Sequence, residues 1–84
     1  MPERYDLRAV HYGRDPRLFF EDTFERISGE LSPNEEATVL VNPEHFTEPV
    51  ESMAQLAEAH GLSVVTTQRL ATDEALIEVR RKAA

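Results

Sequence analysis

A chain of 84 residues without one cysteine has to hold its shape by apolar packing alone. No disulfide limits its unfolded ensemble, and it offers neither a thiolate nucleophile nor a cysteine-ligated zinc. A chain this short buries about 60 to 65% of the surface its extended form exposes, enough for one core. Residues 1–84 are therefore expected to form a single domain in which every large apolar side chain is needed.

Residues 5–11 read as a first strand, with Leu7 and Ala9 alternating with Arg8 and Val10 ahead of a turn at Gly13. Asp15 then stands as a helix N-cap and Pro16 as the first helical residue, where a missing N–H costs nothing and the ring already has a helical φ. Phe20, Phe24, Ile27 and Leu31 recur at spacings of four, three and four, while Glu21, Asp22, Glu25 and Arg26 fill the other side, so this helix lays one apolar stripe on a sheet. Ser32-Pro33-Asn34 ends it. The nearly all-apolar run Ala37 to Val41, bounded by Glu36 and Asn42-Pro43, predicts a middle strand, buried on both faces or in parallel pairing.

A second helix is expected from Thr47-Glu48-Pro49, another cap-then-proline start. It carries Val50, Met53, Ala54, Leu56 and Ala57 and closes at His60-Gly61, with Gly61 left-handed and Leu62 folding back as its apolar partner. Residues 62–68 and 75–81, rich in β-branched side chains, read as a hairpin joined through Ala71-Thr72-Asp73-Glu74. The order is βαβαββ. It predicts an α/β fold of the two-layer α+β sandwich type, a four-stranded mixed sheet with both helices on one face and the other face open. Residues 81–84 are expected to fray.

Sixteen acidic residues against nine basic ones give a net charge of −7, a sign that repels phosphate backbones and anionic lipid. Nucleic-acid binding is disfavoured, including RNA binding by analogy with the similarly ordered C-terminal domain of a translation initiation factor. No apolar run approaches the roughly 18 residues of a membrane span, and the chain opens on Met1-Pro2-Glu3-Arg4 with no basic-then-apolar leader. A cytoplasmic protein with no membrane partner is expected. Eight of the nine basic residues are arginine, and scarce lysine beside an acidic excess would suit adaptation to high salt.

Asp6-Leu7-Arg8 followed by the Asp15-Pro16 helix start resembles the Asp-x-Arg and Cys-Pro-x-Pro segments of the TusA/SirA-type sulfur carriers. Over nearly the whole chain the resemblance is better to their cysteine-less relatives in the domain-of-unknown-function family numbered 2249. These have a similar first strand, a helix started at proline, a Val-Asn exit from the second strand, here Val41-Asn42, and a final x-Val-Arg strand, here Val79-Arg80. The resemblance implies the βαβαββ fold. It also implies that sulfur transfer is lost: the carriers hold persulfide on the cysteine before the helix proline, and here that residue is Asp15, which caps a helix but carries no sulfane sulfur. After Asn42 the chain departs from the cysteine-less relatives, with Pro43-Glu44-His45-Phe46-Thr47-Glu48-Pro49 where an Asp-His-Asp-Pro segment is expected.

No residue is assigned a catalytic role, because Ser28, Ser32, Ser52 and Ser63 lack any local nucleophile signature and the carboxylates spread as solvated charge does. The candidate ligand-binding residues are His11, Arg14, Asp15 and Arg17, at the end of the first strand and the start of the helix, where α/β layouts place ligands and first-turn N–H groups hold anions. Against this, Asp15 supplies negative charge at that spot, and the arginines are expected to be solvated or to pair with Glu21 and Asp22. His11 and His45 are the candidate metal ligands, with Glu44 or Asp15 to complete the site, provided the first two strand ends lie side by side. His60 needs no role beyond the helix C-terminus, and Phe19 and Phe46 are expected in the core. No cofactor is called for. The expected function is that of a small, non-catalytic adaptor that binds another protein through the open sheet face or the first strand-to-helix corner, with a homodimer also compatible with an unpaired edge strand. The alternative is a metal- or small-anion-binding protein using that corner.

Overall fold

Local chemistry sets the first helix where the sequence predicts it. In the computed structural model, which describes residues 3–83, Asp15 Oδ1 accepts from the backbone N–H of Arg17 (3.2 Å) and Leu18 (3.4 Å), and Pro16 opens α1, Pro16–Glu30. Around it the order is β1 (Glu3–Asp6), α1, β2 (Glu36–Val41), α2 (Val50–Gln55), β3 (Leu62–Ala71) and β4 (Glu74–Arg81), with 3-10 turns at Pro43–His45 and Leu56–His60.

The sheet runs β1-β2-β4-β3. β1 pairs parallel to β2, and β4 is antiparallel to both β2 and β3, so β3 runs parallel to β2. Each strand-helix-strand passage thus joins parallel strands, and the final hairpin returns β4 into the slot between β2 and β3. Cross-strand pairs share a face. Ala37↔Val79, Val39↔Ile77 and Val41↔Ala75 all point into one cluster with Phe20, Phe24 and Ile27 of α1 and Met53, Ala54 and Ala57 from α2 and its 3-10 extension. Both helices therefore cover the same face, giving the two-layer α+β sandwich. The opposite face carries Thr38↔Glu78, Glu36↔Arg80 and Leu40↔Leu76; Leu40 is buried there but stands apart from the main core.

Four expectations are corrected. The first strand stops at Asp6 rather than continuing to residue 11: Leu7 N–H still reaches Leu40 O (2.8 Å), but beyond Val41 the neighbouring chain becomes Asn42-Pro43, and the first chain folds back, with Val10 N–H on Leu7 O. Thr47 does not cap the second helix. Pro49 precedes its first residue and makes no side-chain cap bond, and the uncapped α2 keeps six residues before tightening into 3-10 turns that end at Gly61, φ +83°. β3 extends to Ala71, so the hairpin turn is only Thr72-Asp73. The chain end is tied down rather than frayed: Asn34 N–H donates to Arg81 O (2.9 Å), Arg81 N–H donates to Glu35 O (2.9 Å), and Lys82 N–H donates to Gly61 O (2.9 Å). Ala84 lies outside the described residues. Phe46 joins the core as expected, and Phe19 is half-buried against it.

Candidate functional site

Because β1 and β2 are parallel neighbours, their C-terminal ends emerge side by side, and the two loops that leave them meet. The meeting point is Tyr12. Its ring is buried, within 6 Å centroid to centroid of Phe19 (5.1 Å), Phe20 (4.9 Å), His45 (5.6 Å) and Phe46 (5.9 Å). Its hydroxyl donates to Leu7 O (2.8 Å) and accepts from Asn42 N–H (3.0 Å), so one side chain ties the end of β1 to the exit from β2. Burial pushes the phenol pKa up. Sequence reading passed over Tyr12; the available signal was an aromatic residue between His11 and Gly13, one step from a helix start.

His11 and His45 come together on this corner, with ring centroids 6.0 Å apart and planes 17° from parallel. Both are exposed, and His45 Nε2 lies 3.3 Å from Asn42 Nδ2. Among the described residues no group of three or more His, Asp or Glu side chains converges for a metal ion, so the pair has no third protein ligand.

The candidate ligand residues are divided by the helix cap. Asp15 takes the N–H groups of Arg17 and Leu18 for itself, and the side chains of Arg14 and Arg17 stand exposed beside it. Neither arginine forms an ion pair among the described residues, with Glu21, Asp22 or any other carboxylate. A shallow depression of about 360 Å³ runs along Tyr12, Arg14, Asp15, Leu18 and Phe19. Leu18 is 54% exposed at its rim, and Val10 is 38% exposed in the loop before it.

On the other side of the same loop, Arg8 bridges strands. Its guanidinium donates to Asp6 Oδ2 (2.7 Å) and Glu74 Oε2 (2.7 Å), crossing the end of β2 at the mouth of a depression of about 520 Å³ lined also by Ala9, Asn42 and Asp73. With both ends of its fork occupied and three carboxylates around it, Arg8 ties β1 to β4 and leaves no cation free for an anionic ligand. This bonding holds the Asp6 carboxyl down at about 2, through its bonds from the Arg8 side chain and backbone N–H. A carboxylate depressed from 3.8 stabilises the fold above its unfolded pKa and loses that contribution as pH falls toward its folded one. The stability difference between wild type and Asp6→Asn, read from urea midpoints, is expected to be widest above pH 4 and to close between about pH 4 and pH 2; a gap that stays constant with pH would contradict it.

No family model matches the chain, and no curated protein matches it. Among solved structures it is similar to the solution structure of HP1264 from Helicobacter pylori, at 28% identity over 96% of this chain and 99% of that one, with a TM-score of 0.63. That likeness extends over the sheet and both helices, and places the chain with proteins of this two-layer α+β fold.

Proposed function

We propose that this protein is a small non-catalytic adaptor that docks another protein at the β1–α1 corner, on a sulfur-relay type of scaffold whose thiol position has become the helix-capping Asp15. The observation that carries the reading is the pairing of Leu18, 54% exposed, with two arginines that lack carboxylate partners among the described residues. An apolar residue beside a half-buried aromatic ring and rimmed by arginine is the make-up of interface hot spots. The open sheet face is a poorer candidate: among the described residues none of the four exposed large apolar ones lies on β2 or β4, and Arg80 there is paired with Glu36 (2.6 Å).

Tagged wild type and the variants Leu18→Asp, Arg14→Ala and Thr38→Lys should be compared as bait in the native cell extract. Leu18→Asp is expected to lose a partner held by wild type by at least about tenfold, Arg14→Ala to weaken it, and Thr38→Lys on the open face to keep it. Equal retention by all four baits would exclude the corner, and turnover of persulfide or thiosulfate by the purified domain would exclude a non-catalytic adaptor.

A second reading is favoured by one observation, the His11–His45 juxtaposition. Two imidazoles at this separation would hold a divalent transition ion weakly, completed by water or by a donor from a partner. Titration with zinc, nickel or copper is then expected to move the ring signals of both histidines together, and to move neither in His11→Ala. Unchanged signals in wild type would remove this reading.

A further inference from the structure

We propose that the outer edge of β3, with the groove between it and α2, receives an extended basic segment of a second protein as a fifth strand of the sheet. This surface belongs to the opposite sheet edge from β1, so it stands independently of the corner described above.

β3 is ten residues long and, among the described residues, pairs with one strand, β4. The direction of its outward groups is marked by Val64, whose N–H turns away from β4 to Glu58 Oε2 (2.8 Å). Val64, Thr67 and Arg69 stand opposite Val79, Ile77 and Ala75. Those partners are two residues apart along β4, so despite the register shift after Val64 the three β3 residues share one phase, and alternation along an antiparallel ladder turns the N–H and C=O of Thr67 and Arg69 outward as well. Glu58 covers Val64. Among the described residues no protein group covers the backbone of Thr67 or Arg69. Val65 and Leu70, 47% and 45% exposed, bracket this stretch, each at a register shift.

The occupant's chemistry follows from the groove. Side chains of a strand added beside Thr67 alternate between the two sheet faces, and those on the helix side enter a groove of about 420 Å³ with Ala54, Val64 and Thr67 within it and Glu51, Gln55 and Glu58 along the helix wall. Lysine or arginine suits it, laying its aliphatic stem on Ala54 and Val64 and its charge against Glu51. Glu51 has no ion pair among the described residues, whereas Glu58 is already engaged by Val64 and Lys82. A second copy of this chain fits poorly. Each copy carries −7, and the cation its own β3 would bring to the helix side, Arg69, is spent on the carbonyls of Ala71 and Thr72 (3.3 and 3.2 Å).

The test uses the full chain, 15N-labelled, in about 0.15 M salt, where exposed charges act over only about 8 Å. The probes are a blocked hexapeptide alternating valine and lysine and its valine–glutamate counterpart. The lysine peptide is expected to give saturable shifts at the amides of Thr67 and Arg69, and the glutamate peptide none. Glu51→Lys, on an exposed helix position, should raise the peptide Kd about tenfold. Thr67→Pro should abolish binding while the remaining amide spectrum is kept, because proline deletes an outward N–H and no bond to β4. The proposal is overturned by unsaturable or absent shifts, by equal response to both peptides, by shifts confined to the corner around Leu18, or by unchanged affinity in Glu51→Lys. Concentration-dependent shifts at the same amides without peptide would overturn it in favour of a second copy.

Discussion

Phe24→Ala is expected to cost about 3 to 5 kcal/mol, as much as half or more of the stability of a domain this size, about 4 to 12 kcal/mol at typical per-residue values. Phe24 is fully buried, in the stripe that presses α1 onto the sheet, and its ring lies 6.0 Å from that of Phe20. Removing it takes away transfer energy and leaves a cavity that rigid strands do not collapse to fill. With no disulfide in the chain, nothing covalent compensates. Urea denaturation followed by circular dichroism should show the midpoint collapsing toward zero or the variant unfolded in buffer. Leu18→Ala, on the same helix but 54% exposed, should stay within about 0.5 kcal/mol of wild type. Similar losses in both would mean that the helix is held by something other than its buried stripe.

Tyr12→Phe, the removal of one oxygen atom, is expected to cost about 1 to 3 kcal/mol and to loosen the corner. The hydroxyl is the partner of both Leu7 O and Asn42 N–H, and phenylalanine keeps the ring packing while stranding both backbone groups in a place that water reaches poorly. The distinguishing measurement is hydrogen exchange. Asn42 N–H should exchange much faster in the variant, while amides of the β3–β4 ladder change only by the global loss in stability. Because His45 and Phe46 pack against the same ring, the His11–His45 approach should loosen too, visible as altered histidine ring shifts. Unaltered Asn42 exchange would show that the loops hold each other without the tyrosine bridge.

The candidate corner was legible in part. His11 and His45 were paired on the condition that two strand ends lie together, and the parallel pairing of β1 with β2 meets that condition. Arg14, Asp15 and Arg17 lie together because they are close in sequence; the cap diverts Asp15 to the helix, and of the two states expected for the arginines, solvated or paired with Glu21 and Asp22, they take the solvated one among the described residues. Arg8, Tyr12 and the groove of Glu51 and Glu58 went unread as sites. Each acquires its role from a residue far along the chain, Arg8 from Glu74 and Tyr12 from Asn42, and no local spacing announces such a meeting.

What the amino-acid sequence determined by itself is whatever acts within a turn or two of chain: Asp15-Pro16 starting α1, the stripe of Phe20, Phe24 and Ile27, the break at Pro33, and Gly61 in its left-handed turn. Capping, helical periodicity and positive φ depend on neighbours a few residues away, so they survive as patterns in the letters. The end of β1 at Asp6, the shortness of α2, the place of β4 between β2 and β3, and the position of β3 at the sheet edge were decided only by the tertiary structure. A strand continues while a partner offers hydrogen bonds, and which partner it meets is settled by the competition of whole surfaces for burial, a quantity that belongs to no single stretch of sequence.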